Sequence, residues 1–191
     1  MKIIVYGGTN NREYTKAQMS ACEKLGKYLG TCGAEILTGA CRGYPYYVGK
    51  AAIQNGSRKV IGYSPALNLK EHVEVYKFPT DGVTELVYVD RKCDSMPEAF
   101  MRRSIDMTPF ADTVIVLGGS WGTFSEIIMS FMYRRTIILV EEFEGAVKAF
   151  ENAFEFFGAR DINPAVHNGA KIHRCATIED AILTLKSLQN A

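Results

Sequence analysis

Between Val114 and Ile128 the chain reads VIVLGGSWGTFSEII, an apolar run of strand length that enters a glycine-rich turn and passes directly into an amphipathic helix. This is the layout of a phosphate-binding loop. Gly118, Gly119 and Gly122 allow φ > 0 and a close approach of backbone to ligand, while the unpaired N–H groups at the start of the following helix favour an anion. The same residues admit a plainer reading. Thr123 and Glu126 have capping-box spacing, with the Thr123 hydroxyl accepting from the first helical turn and Glu126 reaching back to the Thr123 N–H. A cap accounts for those two residues but not for the clustered glycines, which weaken a turn unless its conformation or a ligand requires them.

A chain of 191 residues, 47% of them hydrophobic, is long enough to bury one sizeable core, and a single domain over 1–191 is expected. The net charge of +1, from 22 basic and 21 acidic residues, gives no electrostatic footprint for nucleic acid or an anionic membrane. Any anion must therefore be held locally. The chain opens on a strand, and no apolar run approaches membrane-spanning length, so neither a signal peptide nor an anchor is expected, and the compartment expected is the cytoplasm. Cys22, Cys32, Cys41, Cys93 and Cys175 form no CxxC pair, and His72, His167 and His173 lie in separate segments, a pattern unlike a metal site or a disulfide framework. Cys22 and Cys32 read as packing at a helix and its end, whereas Cys41 and Cys93 lie in loops.

Strand and helix signals alternate throughout. Strands are expected at Lys2 to Tyr6, Ala34 to Leu37, Lys59 to Tyr63, Glu85 to Val89, Thr113 to Leu117 and Thr136 to Val140. Helices are expected at Lys16 to Leu29, about Tyr46 to Gln54, Pro97 to Met107, Thr123 to Tyr133, Gly145 to Phe157 and Ile178 to Leu188. Pro65 to Pro79 is loop-like, with room for an edge strand at Val73 to Tyr76. Such alternation predicts an α/β, Rossmann-like doubly wound, mostly parallel sheet with helices on both faces. Ligands then bind at the carboxyl ends of strands, near a topological switch point. Gly7 to Asn10, Thr38 to Gly43, Asp90 to Met96 and Gly118 to Thr123 are the loops placed there. Neither GxGxxG nor GxxxxGK[ST] is present, which takes most of the support from ordinary NAD-dependent and P-loop readings.

In the Pro97 to Met107 helix, Phe100, Arg103 and Met107 share one face and Arg102 turns away from it. Arg103 thus sits in an apolar stripe. It needs an anionic partner or several carbonyl acceptors, supplied either by a ligand site or by a structural carboxylate.

These residues carry a resemblance. The sequence resembles the superfamily named for the LONELY GUY cytokinin-activating proteins, which includes molybdenum cofactor carrier proteins and chains labelled lysine decarboxylase-like. The likeness runs from Val5 to about Val140 through VYGGTN, LTGACRG, KVIGYSPA followed by LKEH, FMRRSIDM and GGSWGTFSE. Against the enzymes' PGGxGTxxE, Gly118 replaces the proline, Gly119 is kept, Ser120 replaces the second glycine, and Gly122, Thr123 and Glu126 match. Against RKxxM, Arg103 and Met107 match while Ser104 replaces the lysine.

The resemblance implies a nucleoside 5'-monophosphate or related phosphorylated ligand and a homodimer or higher homo-oligomer. It implies catalytic roles for Arg103 and Glu126, and nucleotide contacts from Gly7, Gly8, Thr38, Gly39, Gly118, Gly119, Ser120, Trp121, Gly122 and Thr123. The activity implied is hydrolysis of the N-glycosidic bond to base and ribose 5-phosphate, with no metal and no cofactor required beyond a bound nucleotide or phosphate. The alternative is a non-catalytic nucleotide or molybdenum-cofactor carrier, toward which the proline, glycine and lysine departures lean, with YSPA and LKEH. A lysine decarboxylase reading lacks a lysine placed for a Schiff base with pyridoxal phosphate, and a scaffold role has no signal beyond the implied dimer.

Overall fold

The computed structural model describes residues 1–8, 14–158 and 169–190. Within them lie strands β1 (Lys2–Gly7), β2 (Glu35–Thr38), β3 (Val60–Ser64), β4 (Glu85–Tyr88), β5 (Thr113–Leu117), β6 (Thr136–Val140) and β7 (Lys171–Cys175). They form one sheet in the order β4-β3-β2-β1-β5-β6-β7, and every pairing is parallel. The helices are α1 (Lys16–Thr31), α2 (Tyr44–Gln54), α3 (Leu69–Glu74), α4 (Met96–Met107), α5 (Trp121–Met132), α6 (Ala146–Gly158) and α7 (Ile178–Gln189). The doubly wound α/β architecture is as the alternation predicts.

Alternation along β1 builds two cores, because successive side chains point to opposite faces. Ile3 and Val5 pack with Cys22 and Leu25 of α1, Val48 of α2 and Leu185 of α7. Ile4 and Tyr6 pack with Met107 of α4, Ile127 of α5 and Phe150 of α6. From β1 the chain first winds outward to β4, then returns and winds the other way from β5. The direction reverses between β1 and β5, which pair from Ile3↔Thr113 to Gly7↔Leu117. The crevice where such folds bind ligands lies at the carboxyl ends of these two strands.

Two expectations are corrected. The region given room for an edge strand at Val73 to Tyr76 is instead helical in its first half: Asn68 caps α3 by accepting the Glu71 N–H at 3.0 Å, and Glu71 Oε2 takes the Leu67 N–H at 2.8 Å. Val73 and Val75 are exposed, whereas His72 is buried, its ring nitrogens 2.8 Å from Ser64 Oγ and 3.3 Å from the Pro79 carbonyl. Strand β7 was not expected. As the sheet's edge it exposes Lys171 and Arg174 and buries only Cys175, so it lacks the apolar run of the central strands.

Candidate functional site at the strand switch point

The crevice is built from backbone first. The Gly8 N–H donates to the Leu117 carbonyl at 3.1 Å, and the Gly8 carbonyl accepts the Tyr44 N–H at 3.0 Å, tying β1 to β5 and α2. Gly118 and Gly119 turn the chain off β5 with φ of 63° and 96°. A Cβ on Gly119 would fall onto the Thr123 side chain, so this position must be glycine. Gly122 differs from the expectation of positive φ. It lies in the first turn of α5, outside the left-handed region, and a Cβ there would meet nothing within 4 Å.

The capping-box reading is also overturned. Helix α5 begins at Trp121 rather than Thr123, its N-cap is Ser120, and Ser120 makes no side-chain capping bond. The Thr123 hydroxyl instead donates to the Gly7 carbonyl at 3.3 Å, clamping the helix start to the end of β1. The first N–H groups of a helix have no partner within it, so α5 presents a positive end at the crevice.

Glu126 lies one turn further along, where the helix is buried. Its Oε1 accepts from Arg103 Nη2 at 2.7 Å and from Ser104 Oγ at 2.9 Å; among the described residues no hydrogen bond reaches Oε2. Arg103 Nη1 donates to the Gly39 carbonyl at 3.0 Å, Nη2 also reaches Ser104 Oγ at 3.2 Å, and the guanidinium lies over the Phe100 ring. Gly39 is open to this approach because a Cβ would sit 2.6 Å from Arg103 Nη1. Both charged residues are 7% exposed. Burial pushes the Glu126 carboxyl above the usual carboxylate range, opposed by Arg103 and Ser104. Burial is the largest single effect and works against the Arg103 charge as well, but Glu126, Cys41 and Tyr6 together outweigh it and the guanidinium stays protonated. Tyr6 and Cys41, both raised chiefly by burial, add no charge at neutral pH.

A cleft of about 150 Å³ opens onto this pair. Of the residues singled out from the sequence, Gly7, Gly39, Arg103, Ser120, Gly122, Thr123 and Glu126 line it together. Gly8, Gly118 and Gly119 lie outside that lining, in the backbone turns that follow β1 and β5. Thr38 is buried and holds the next turn through the Ala40 N–H at 3.3 Å. Trp121 stands outside the lining, 85% exposed and edge-on to Phe124. Residues beyond Gly8 in the first loop lie outside the described residues. The sequence reading passed over Ser104 as a mere departure, and Cys41, Pro45 and Phe100 as cleft walls. The i, i+4 spacing of Phe100 and Ser104 on the Arg103 side of α4 was the available signal.

The model of the SLOG cluster4 family matches residues 1–164. The chain belongs to this family. No curated protein sequence matches it. Among solved structures, this SLOG cluster4 chain is similar to TM1055, a structural-genomics protein, at 20% identity and a TM-score of 0.77, with 97% and 98% of the two chains covered. It is similar to the molybdenum cofactor carrier protein of Chlamydomonas reinhardtii at 18% identity and TM-score 0.65, covering 100% and 98%. DNA processing protein A of Helicobacter pylori, whose structure concerns single-stranded DNA binding, follows at 18% identity and TM-score 0.63, covering 98% and 80%. At these identities the likeness is one of fold. No helix among the described residues is long and apolar enough to cross a membrane.

Proposed function

We propose that this SLOG protein binds a nucleoside 5'-monophosphate at the β1–β5 crevice and hydrolyses its N-glycosidic bond. The observation that carries the reading is a buried carboxylate pinned through one oxygen, its other oxygen without a hydrogen bond among the described residues, in a cleft that the start of α5 also lines. The phosphate sits against the backbone N–H groups from Gly119 to Thr123, with Gly7, Gly8, Thr38 and Gly39 shaping the opposite wall. Glu126 Oε2 faces the ribose, stabilises oxocarbenium-like charge at C1' and takes a proton from the attacking water. Water oxygen bonds to C1' as the C1'–N bond breaks, and its electron pair leaves with the base. Arg103 is already engaged by Glu126 and Gly39, so it is a positioning residue. Phosphate binding alone lowers ground and transition states equally; turnover rests on Glu126. This chemistry runs through protein side chains and calls for no metal or cofactor.

The balanced surface charge favours a small ligand over nucleic acid, and the cytoplasm is the compartment that fits free nucleotides. Met101, Ile105, Trp121, Ile128 and Met132 are exposed on α4 and α5 beside the cleft, a strip that a homodimer would cover. A carrier that holds a nucleotide or molybdenum cofactor without turnover is favoured by the departures from the enzymes' pattern, Gly118 for proline, Ser120 for glycine and Ser104 for lysine.

Incubation with a panel of nucleoside monophosphates, followed by chromatography, should release free base. Binding without release from any of them moves the assignment to the carrier. AMP should bind more tightly than adenosine and perturb Trp121 fluorescence, and equal affinities in calorimetry would remove the phosphate site.

A further inference from the structure

Ser104 has one hydroxyl proton and two acceptors in reach. Its Oγ lies 2.9 Å from Glu126 Oε1 and 3.1 Å from the Phe100 carbonyl, while its lone pairs receive Arg103 Nη2 at 3.2 Å. A serine inside a helix ordinarily back-bonds to the carbonyl one turn earlier, which is the Phe100 contact. Here a carboxylate competes for the same proton, and a hydrogen bond to an ionised acceptor is the stronger one. We propose that Ser104 is a positioning residue whose hydroxyl proton points to Glu126 Oε1 while that carboxylate is charged and swings to the Phe100 carbonyl when it is neutral.

The inference rests on the hydrolase reading only for its use in turnover; the proton's two positions stand on geometry alone. In the ionised state Arg103 and Ser104 together hold Oε1, which fixes the carboxylate plane and leaves Oε2 for the substrate. When Oε2 accepts the proton of the attacking water, Oε1 becomes a weaker, neutral acceptor. The Ser104 proton then has the Phe100 carbonyl to turn to, so neither state of Glu126 strands a buried donor. No side chain need leave its rotamer. The groups that face Glu126 are Arg103 from α4, Tyr6 from β1 and Cys41 from the loop after β2. Tyr6 and Cys41 are neutral through the pH range of interest, so among these groups Arg103 carries the fixed charge, and the Ser104 hydroxyl is a donor to Glu126 that has a second acceptor in reach.

The experiment titrates Glu126 by its carboxyl infrared band, assigned by difference against Glu126→Gln, in the intact protein without ligand. Ser104→Ala removes the donor from the charged form and should raise the midpoint by roughly one pH unit or more. Ser104→Thr keeps the hydroxyl and should restore the wild-type midpoint. If Ser104→Ala does not fold, Ser104→Cys, with its weaker S–H donor, should shift the midpoint in the same direction. An unmoved midpoint in the folded Ala or Cys variant, or a Thr variant that behaves like Ala, overturns the proposal. If the protein also releases base, the acid limb of its pH–rate profile should move with the infrared midpoint; a limb that stays in place while the midpoint moves also overturns Ser104's part in turnover. Absence of base release from the wild type counts against the hydrolase reading and leaves the titration to decide on Ser104.

Discussion

Arg103→Met keeps an apolar stem and removes the guanidinium, and with it the ion pair, the bond to the Gly39 carbonyl and the contact over the Phe100 ring. In the wild type the two charges are 2.7 Å apart and both residues are 7% exposed. Removing one partner of a buried pair costs about 3–5 kcal/mol, because the other charge is left uncompensated. Ser104 still donates to Glu126, which places the expected loss near the lower end, about 3 kcal/mol. For a domain of this length that lowers the melting temperature by about 6–12 °C. The loss must also depend on pH. Without Arg103 the Glu126 pKa rises further above its unfolded value, so the folded protein binds more protons than the unfolded chain. Stability therefore falls as pH rises between the two values, and the variant should be worse at about pH 8 than at about pH 5. Glu126→Gln in the same protein removes the stranded carboxylate, and the double variant should be more stable than the sum of the single losses predicts. Thermal melts of the four proteins at both pH values measure this. A loss under about 2 °C, below 1 kcal/mol for this size, with no pH dependence and additive effects refutes the buried-pair argument.

Gly122→Ala should uncouple stability from binding: a Cβ there meets nothing within 4 Å among the described residues and improves helix propensity, so the melting temperature should hold or rise, while AMP affinity in calorimetry falls because the methyl occupies the phosphate approach. Glu126→Gln should abolish base release even when activity is counted per folded molecule, and undiminished turnover would end its catalytic assignment. His72 is buried and its pKa is lowered by that burial, so the unfolded chain takes up a proton more readily. Its contribution to stability is therefore complete above the ordinary imidazole value, about 6.5, and declines as pH falls. His72→Gln should flatten the melting profile between about pH 7.5 and about pH 5 relative to wild type, and parallel profiles would count against this account.

The central strands and the inward face of α4 were legible because each is a local pattern. The apolar runs of β1, β5 and β6 meet no competing signal, and Arg103 was recognisable as buried from the spacing of Phe100 and Met107. Where the reading failed, the deciding contact lay elsewhere in the chain. Helix α5 starts at Trp121 because Thr123 is held by the Gly7 carbonyl of β1, a partner that local capping rules do not see. Glu126 fitted a capping box by spacing, yet tertiary burial gave it Arg103. Val73 and Val75 argued for a strand, but Asn68 and Glu71 start a helix and His72 docks it on Ser64. In β7 the edge position licenses the lysine and arginine that hid it.

The reversal of strand order between β1 and β5 has a consequence for how the protein is made. Strand β1 leaves the ribosome before β5, and the Lys2 N–H that binds Asp112 must wait 110 residues for its partner, as must the whole β5 side of the strand. Until then the nascent chain carries a half-paired apolar strand, Ile3 to Tyr6, and such an unpaired edge is a template for the wrong neighbour. The arginine of the ion pair is likewise translated before its glutamate, and its charge stays in water until α5 arrives. A product cut short before Thr113 would thus expose the centre of the sheet rather than its rim, and aggregation is its expected fate.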